Sequence, residues 1–320
     1  MGIIPVHMTR IRTAVIGVGY LGRFHAQKYA ALPESELVGV ADTSATAAEA
    51  VAREVGTRPY ADYRELLGKV DAVSVVTPTP AHAPIATAVL EAGAHVLVEK
   101  PITAGIAEAE SLIRVARERG RVLQVGHLER FNPVVLGAER HLKAPRFIEC
   151  HRLAPFRERG TDVNVVLDLM IHDIDLLQSI VGGEIVALDA VGTAVFSRET
   201  DIANARIRFA SGCVANATAS RVSLKTERKL RIFQDDAYLS LDLQQKILTV
   251  IRKRDAQPGD AQLPVSIAEE SFEQGDALLA EIAAFLRAAR GLGPVAVSGE
   301  DGLRALRTAI AITEALRAGG

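Results

Sequence analysis

The sequence predicts an α/β first half built on a doubly wound parallel sheet, followed by an α+β second half with a mainly antiparallel sheet. Three observations lead there: short Val-rich runs alternating with helix-like stretches up to Gly126, a glycine-rich turn after the first run, and a change of texture after Phe131-Asn132-Pro133. A chain of 320 residues is long for one compact domain, so two are expected.

The runs of the first half are Thr13 to Val18, Glu36 to Ala41, Asp71 to Val76, Ala94 to Glu99 and Arg121 to Gly126. They are continuously apolar, as strands buried on both faces are. Between them, Ala45 to Val55, Ala83 to Ala92 and Ala107 to Arg119 are rich in Ala, Glu, Arg and Leu. The last two stop at Gly93 and Gly120, where a left-handed cap is wanted.

The second half holds one long helix-like stretch, Val163 to Val181, closed by Gly182-Gly183. Strand-like segments follow at Ile185 to Phe196, Ala203 to Ala210, Cys213 to Val222, Lys229 to Gln234, Ala237 to Leu243 and Lys246 to Arg252. Short polar turns separate them, as in one antiparallel sheet. The long helix can cover one face of that sheet and a second subunit the other, so a homo-oligomer, dimer or tetramer, is expected. Gln257 to Ala261 reads as a loop, and Phe272 to Arg290 and Glu300 to Ala318 as closing helices. The expected domains are 8–128, binding a dinucleotide, and 129–320, binding substrate and carrying the oligomer contacts. The helices at about 272–318 can return to the first domain.

Composition narrows the partners. Hydrophobic residues are 48% and charged residues 24%, an ordinary globular balance. A net charge of -2 offers no basic surface for nucleic acid, so a small molecule is the expected partner. Cys150 and Cys213 belong to no CxxC pair and no zinc-spaced cluster; they are expected to be reduced and buried, and no metal is expected. No apolar run reaches the roughly 18 residues of a membrane span. The opening MGIIPVHMTR lacks the length and cleavage pattern of a secretion signal, and Val6 stands where a myristoylation motif needs Ser or Thr. A cytoplasmic protein without a membrane partner is expected, with the residues before Met8 as an extension.

Gly17-Val18-Gly19-Tyr20-Leu21-Gly22 is a GxGxxG between a strand and a helix. Its glycines serve the tight turn, the approach of backbone N–H groups to a pyrophosphate, and close helix–strand packing. About 20 residues on, where an acid is needed for the adenosine ribose hydroxyls, stands Asp42. Its charge repels a 2′-phosphate, so NAD is expected rather than NADP. The competing reading is a bare glycine turn beside a helix-capping Asp42.

Four further strings complete the pattern: Thr77 to His82 (TPTPAH), Val98-Glu99-Lys100-Pro101, Asp168 to Asp175 (DLMIHDID) and Ser298 to Leu306 (SGEDGLRAL). With the glycine loop they make the chain resemble the Gfo/Idh/MocA oxidoreductases, from Met8 to about Ala318. The resemblance implies a Rossmann domain followed by an open-faced antiparallel sheet. It places Gly17, Gly19, Tyr20, Leu21, Gly22, Asp42, Thr77, Pro78, His82, Glu99 and Lys100 at the cofactor. It also makes Lys100, Asp168 and His172 the catalytic set.

That chemistry is sensible residue by residue. Beside a positive nicotinamide ring the charged form of Lys100 is disfavoured, so the lysine can exchange protons with a substrate hydroxyl. Pro101 follows the one kind of bond that readily turns cis. On an α-helix Asp168, His172 and Asp175 share a face, and neutral His172 is a natural general base with a carboxylate holding its tautomer. Which carboxylate does so, and whether Lys100 or His172 is the base, stays open. Met170 replaces the glycine of the family's DxGxHxxD, so substrate clearance is expected to differ.

Within the family, Gly126 to Pro133 (GHLERFNP) followed by DLMIHDIDL is most similar to a bacterial subgroup like the UDP-N-acetylglucosamine 3-dehydrogenases. A sugar or nucleotide sugar is the implied substrate, met by Lys100, His127, Arg130, Arg157, Asp168, His172 and Asp175. Arg130, Arg152, Arg157 and Arg159 supply guanidinium groups suited to a diphosphate. His127 is expected at the sugar rather than at a metal. Dehydrogenation of a free sugar or inositol is the nearest alternative. A non-catalytic NAD sensor is the other, and the intact Lys100, Asp168 and His172 argue against it.

Overall fold

The computed structural model describes residues 10–157, 163–255 and 264–318. The chain forms two compact units: one ends at His127 and takes back Leu278–Leu303, and the other comprises Leu128–Ala277 and the chain from Arg304 onward.

The first unit runs β1 (Ile11–Ile16), α1 (Tyr20–Ala31), β2 (Ser35–Ala41), α2 (Ala45–Val55), β3 (Arg58–Tyr60), β4 (Ala72–Val75), α3 (His82–Glu91), β5 (His95–Glu99), α4 (Ile106–Glu118) and β6 (Leu123–Gly126). Its strands form one parallel sheet in the order β3-β2-β1-β4-β5-β6. The order reverses between β1 and β4, the switch point at which ligands bind in such sheets. Val15, Val73, Val96, Leu97 and Val125 are all but inaccessible, which explains the unbroken apolar runs. Gly93 and Gly120 take positive φ after α3 and α4, as expected. The sequence reading lacks β3, a three-residue edge strand holding Pro59, which only an edge tolerates. The returning segment is bonded to β6, Val125 N donating to Val297 O at 3.0 Å.

The second unit holds α5 (Pro133–Ala138), β7 (Phe147–Leu153), a π-helical turn at Val166–Met170 leading into α6 (Ile171–Val181), β8 (Ile185–Thr193), β9 (Ile202–Phe209), β10 (Val214–Ser220), β11 (Glu227–Gln234), β12 (Ala237–Asp242), β13 (Ile247–Lys253) and β14 (Val265–Ser271). The strands make one sheet, β14-β13-β12-β11-β7-β10-β9-β8, antiparallel except where β7 meets β10. One face, with Ile148, Cys150, Ala217, Leu230 and Leu239, shares a core with Met170 and Ile174. The other stays half-exposed; Phe147, Phe233 and Tyr238 lie there with ring centroids 5.7 and 5.0 Å apart. β7 and β14 are additions to the expected strands. The closing helices are α7 (Ala277–Ala289) and α8 (Gly299–Ala318). α7 starts later than expected, because Phe272 is still tied to the sheet turn through Lys246 O. Gln257 to Ala261 falls outside the described residues. Cys150 and Cys213 are free thiols, both buried.

Candidate active site

In the first unit the glycine loop joins β1 to α1. Gly17 has φ +85°, and a Cβ there would meet Val76 O at 2.6 Å; a Cβ on Gly22 would fall 1.9 Å from Gly17 O. Both positions are sterically closed to any other residue. Gly19 differs: its added Cβ would meet no described atom within 4 Å. Tyr20, 69% exposed, stands edge-on to Phe24 at the start of α1, and Leu21 is half-buried.

Asp42, half-exposed at the end of β2, accepts from Val18 N and Ser44 N, both at 2.8 Å. Each carboxylate oxygen keeps a second lone pair after those bonds. The residue therefore pins the glycine loop and can still receive a ribose diol. Thr77 Oγ1 is buried and has no hydrogen-bond partner among the described residues. An open cradle at Gly19, an acceptor at Asp42 and an orphaned hydroxyl at Thr77 fit a dinucleotide along this loop.

Pro78 is exposed, whereas His82, also expected at the cofactor, is buried and bonded to Thr77 O at 2.8 Å and Pro101 O at 2.9 Å. Its ring braces the turn after β4 against the turn after β5. Glu99 departs from expectation in the same way. Its carboxylate lies on His25 and on the Lys100 amide, inside the unit. The Lys100–Pro101 bond is cis, and Lys100 is half-buried. His127, directly after β6, is 1% exposed.

In the second unit the stretch expected as one α-helix is wider at its start. Val166–Met170 is a π turn, and Asn164 Oδ1 receives Val166 N and Leu167 N ahead of it. The wider turn breaks the single polar face that 3.6-residue spacing predicts. Asp168 and His172 are half-exposed, but Asp175 is 1% exposed and accepts two bonds from Arg130, both at 2.7 Å. Asp175 and Arg130 thus hold one another in bidentate fashion, a tie that neither expected role foresees. Met170 is fully buried.

Arg152 requires correction. It is 4% exposed, with Nε and Nη2 on Asp173 at 2.9 and 2.8 Å and Nη1 on Glu129 at 2.9 Å. With all three nitrogens on internal carboxylates, it is a structural cation rather than a diphosphate ligand. Burial opposes its charge, but Asp173 and Glu129 outweigh burial and hold the guanidinium well above its usual range. Burial likewise raises the Glu129 carboxyl, and Arg152 and Asn132 more than reverse this. Arg157 is exposed, and Arg159 lies outside the described residues.

Sequence reasoning missed Asp173 and Glu129. The ERFNP string carried a usable signal, since Asn132 caps α5 through Val134 N at 3.2 Å, with Pro133 as first helical residue, and donates to Glu129 at 3.0 Å.

A glycine cradle at a switch point, with a lysine at the end of a neighbouring strand, defines a dinucleotide-dependent oxidoreductase. The profile described as "Oxidoreductase family, NAD-binding Rossmann fold" matches residues 11–127, and that of the GFO/IDH/MocA C-terminal domain matches residues 140–240. UDP-N-acetylglucosamine 3-dehydrogenase of Acidithiobacillus ferrooxidans is 42% identical over 316 residues, covering 97% of this chain and 99% of the relative. A solved structure of that enzyme superposes with a TM-score of 0.91, covering 97% of this chain and 99% of the other. The NAD(+)-dependent scyllo-inositol 2-dehydrogenase of Bacillus subtilis is 31% identical over 67% of this chain and 68% of its own. Scyllo-inositol dehydrogenase of Lactobacillus casei, solved with NAD(H) and scyllo-inositol, shares the fold at 22% identity, with a TM-score of 0.81 and coverage of 97% of this chain and 98% of the other. The chain belongs to the Gfo/Idh/MocA family and is an NAD-binding oxidoreductase.

Proposed function

We propose that the chain oxidises a ring hydroxyl of a UDP-linked N-acetylamino sugar. The observation that carries this reading is the end-to-end likeness to a relative that bears such an activity in its name, 42% identical over 97% of this chain. NAD, when bound, takes up the hydride. The chain's own residues do the rest. Amides of the glycine loop receive the pyrophosphate, and Asp42 takes the ribose hydroxyls while holding Val18 N. Lys100 Nζ orients the reacting hydroxyl, His172 exchanges its proton, and Asp168 steadies the imidazole. The sugar and its diphosphate are the roles assigned to His127 and Arg157, and Asp175 acts through Arg130. The half-exposed sheet face with Phe147, Phe233 and Tyr238 supports a homo-oligomer, and a nucleotide-sugar substrate suits a cytoplasmic enzyme.

The test is NAD reduction with UDP-N-acetylglucosamine, free N-acetylglucosamine and inositol. Turnover that demands the nucleotide supports the reading; equal turnover of the free sugar or inositol overturns the substrate. NADH binding without turnover of any of them favours a sensor. Lys100→Met and His172→Ala should each lower kcat by ~10² to 10⁴-fold with NADH affinity near wild type. The double mutant should be little worse than the poorer single mutant, as for groups serving one step.

A further inference from the structure

Glu99 and Lys100 are adjacent in the chain, yet Glu99 has interior surroundings that the expected reaction does not use. Its Oε1 lies 3.1 Å from His25 Nε2, and its Oε2 accepts the Lys100 amide at 3.2 Å. The carboxylate rests against bare backbone, since a Cβ on Gly126 would come within 2.9 Å of Glu99 Oε1. Behind it, His25 is fully buried on α1, with Nδ1 3.1 Å from Ser74 Oγ, and Ser74 Oγ is 2.8 Å from the buried Tyr29 hydroxyl.

With Glu99 ionised, the proton arrangement of the chain runs one way. Tyr29 O–H donates to Ser74, Ser74 O–H donates to His25 Nδ1, and His25 Nε2–H donates to an ionised Glu99. The last bond is charge-assisted, and at its other end the carboxylate carries the backbone of Lys100. The ionisable groups that act on the network are His25 and Tyr29 from α1, Lys100 from the strand end, and Glu281 from α7, whose charge acts on Tyr29; the buried His127 follows Gly126, the partner of Glu99 in the sheet. Lys100 is the cation that acts on Glu99 beside His25.

We propose that His25 is a positioning residue for Lys100: through Glu99 it fixes a buried negative charge behind the lysine and so sets the pH range over which the lysine is charged. The proposal rests on the reading that Lys100 serves proton transfer. Burial alone raises the Glu99 carboxyl; the His25 hydrogen bond and the nearby charges outweigh it and leave the group below its ordinary value. Without the His25 donor, the buried carboxylate takes a proton. Lys100 then loses its negative neighbour and gives up its own proton at lower pH. A network that merely packed α1 on the sheet would leave that midpoint where it is.

The direct measurement is the pH midpoint of Lys100 acetylation by acetic anhydride, applied to the folded full chain and read by mass spectrometry on the peptide that carries Lys100. This needs neither substrate nor cofactor. His25→Leu and Glu99→Gln should each move the midpoint down by about one pH unit, and together no further. His25→Gln keeps an N–H for Glu99 and should stay within a few tenths of wild type. The Lys100 limb of the kcat profile should move in parallel, while NADH affinity changes less than about threefold. An unmoved midpoint in Glu99→Gln, or an equal displacement in His25→Gln and His25→Leu, overturns the proposal. Glu99→Gln and His25→Gln decide the matter even if His25→Leu does not fold. A Lys100→Met protein with wild-type kcat would instead overturn the role of Lys100 itself, so the two failures are told apart.

Discussion

Glycines of one loop answer to different constraints. At Gly22 a methyl group collides with Gly17 O at 1.9 Å, whereas at Gly19 it meets no described atom within 4 Å. Gly22→Ala should therefore lower stability by about 1–3 kcal/mol, seen as a lower Tm together with weaker NADH binding. Gly19→Val should keep the wild-type Tm and abolish NADH binding in a calorimetric titration, because its side chain fills space that only the pyrophosphate uses. Unchanged affinity would reduce the loop to a turn. The distinction is invisible in the GxGxxG string, where the three glycines look alike. The string and Asp42 are legible because their spacing is local. Glu99 and His25, 74 positions apart, meet only through the sheet.

Among the elements, β7 and α6 are joined through charge. Arg152→Met would leave Asp173 buried without its partner, at a cost of about 3–5 kcal/mol in urea unfolding. Adding Asp173→Leu should recover much of that loss. A second buried pair ties β9 to β10. Asp201 accepts Val195 N, Phe196 N and Ser197 N, and Arg221 Nε donates to it at 2.8 Å. Burial raises its carboxyl, but the Ser197 and Arg221 bonds dominate and the folded value is strongly depressed. A depressed folded value contributes stability above the unfolded value and loses it as pH falls through the folded one. The Tm gap between wild type and Asp201→Asn should thus be full at neutral pH and shrink below about pH 4. The strands missing from the sequence reading follow the same chemistry. In β7 (FIECHRL) the inward positions include Arg152, so no apolar alternation announces it, and β14 is a polar edge. The π turn was equally hidden, since a widened turn leaves no mark in residue type.

At the scale of the whole molecule, the fold class was readable because each half keeps one periodicity over many residues, buried parallel strands first and antiparallel segments later. The chain's route between the units was not. The expected border near 128 is crossed again when Leu278–Leu303 rejoins the first unit, and α8 starts in that unit and passes to the other at Arg304. The returning segment supplies Val297 O to Val125 and Glu281 O to Gln124, so β6 is completed by residues far downstream. For inheritance this means that a single genetic crossover never exchanges one unit without carrying part of the other with it. Exchange needs joins at 127/128, 277/278 and 303/304 together. Chimeras with the Acidithiobacillus ferrooxidans relative should show it: a hybrid joined only after His127 puts foreign residues against β6 and should melt well below both parents, while one joined at all three places should melt close to them. Lineages of this architecture are therefore expected to diversify by point substitution, with recombination filtered out at the level of the folded chain.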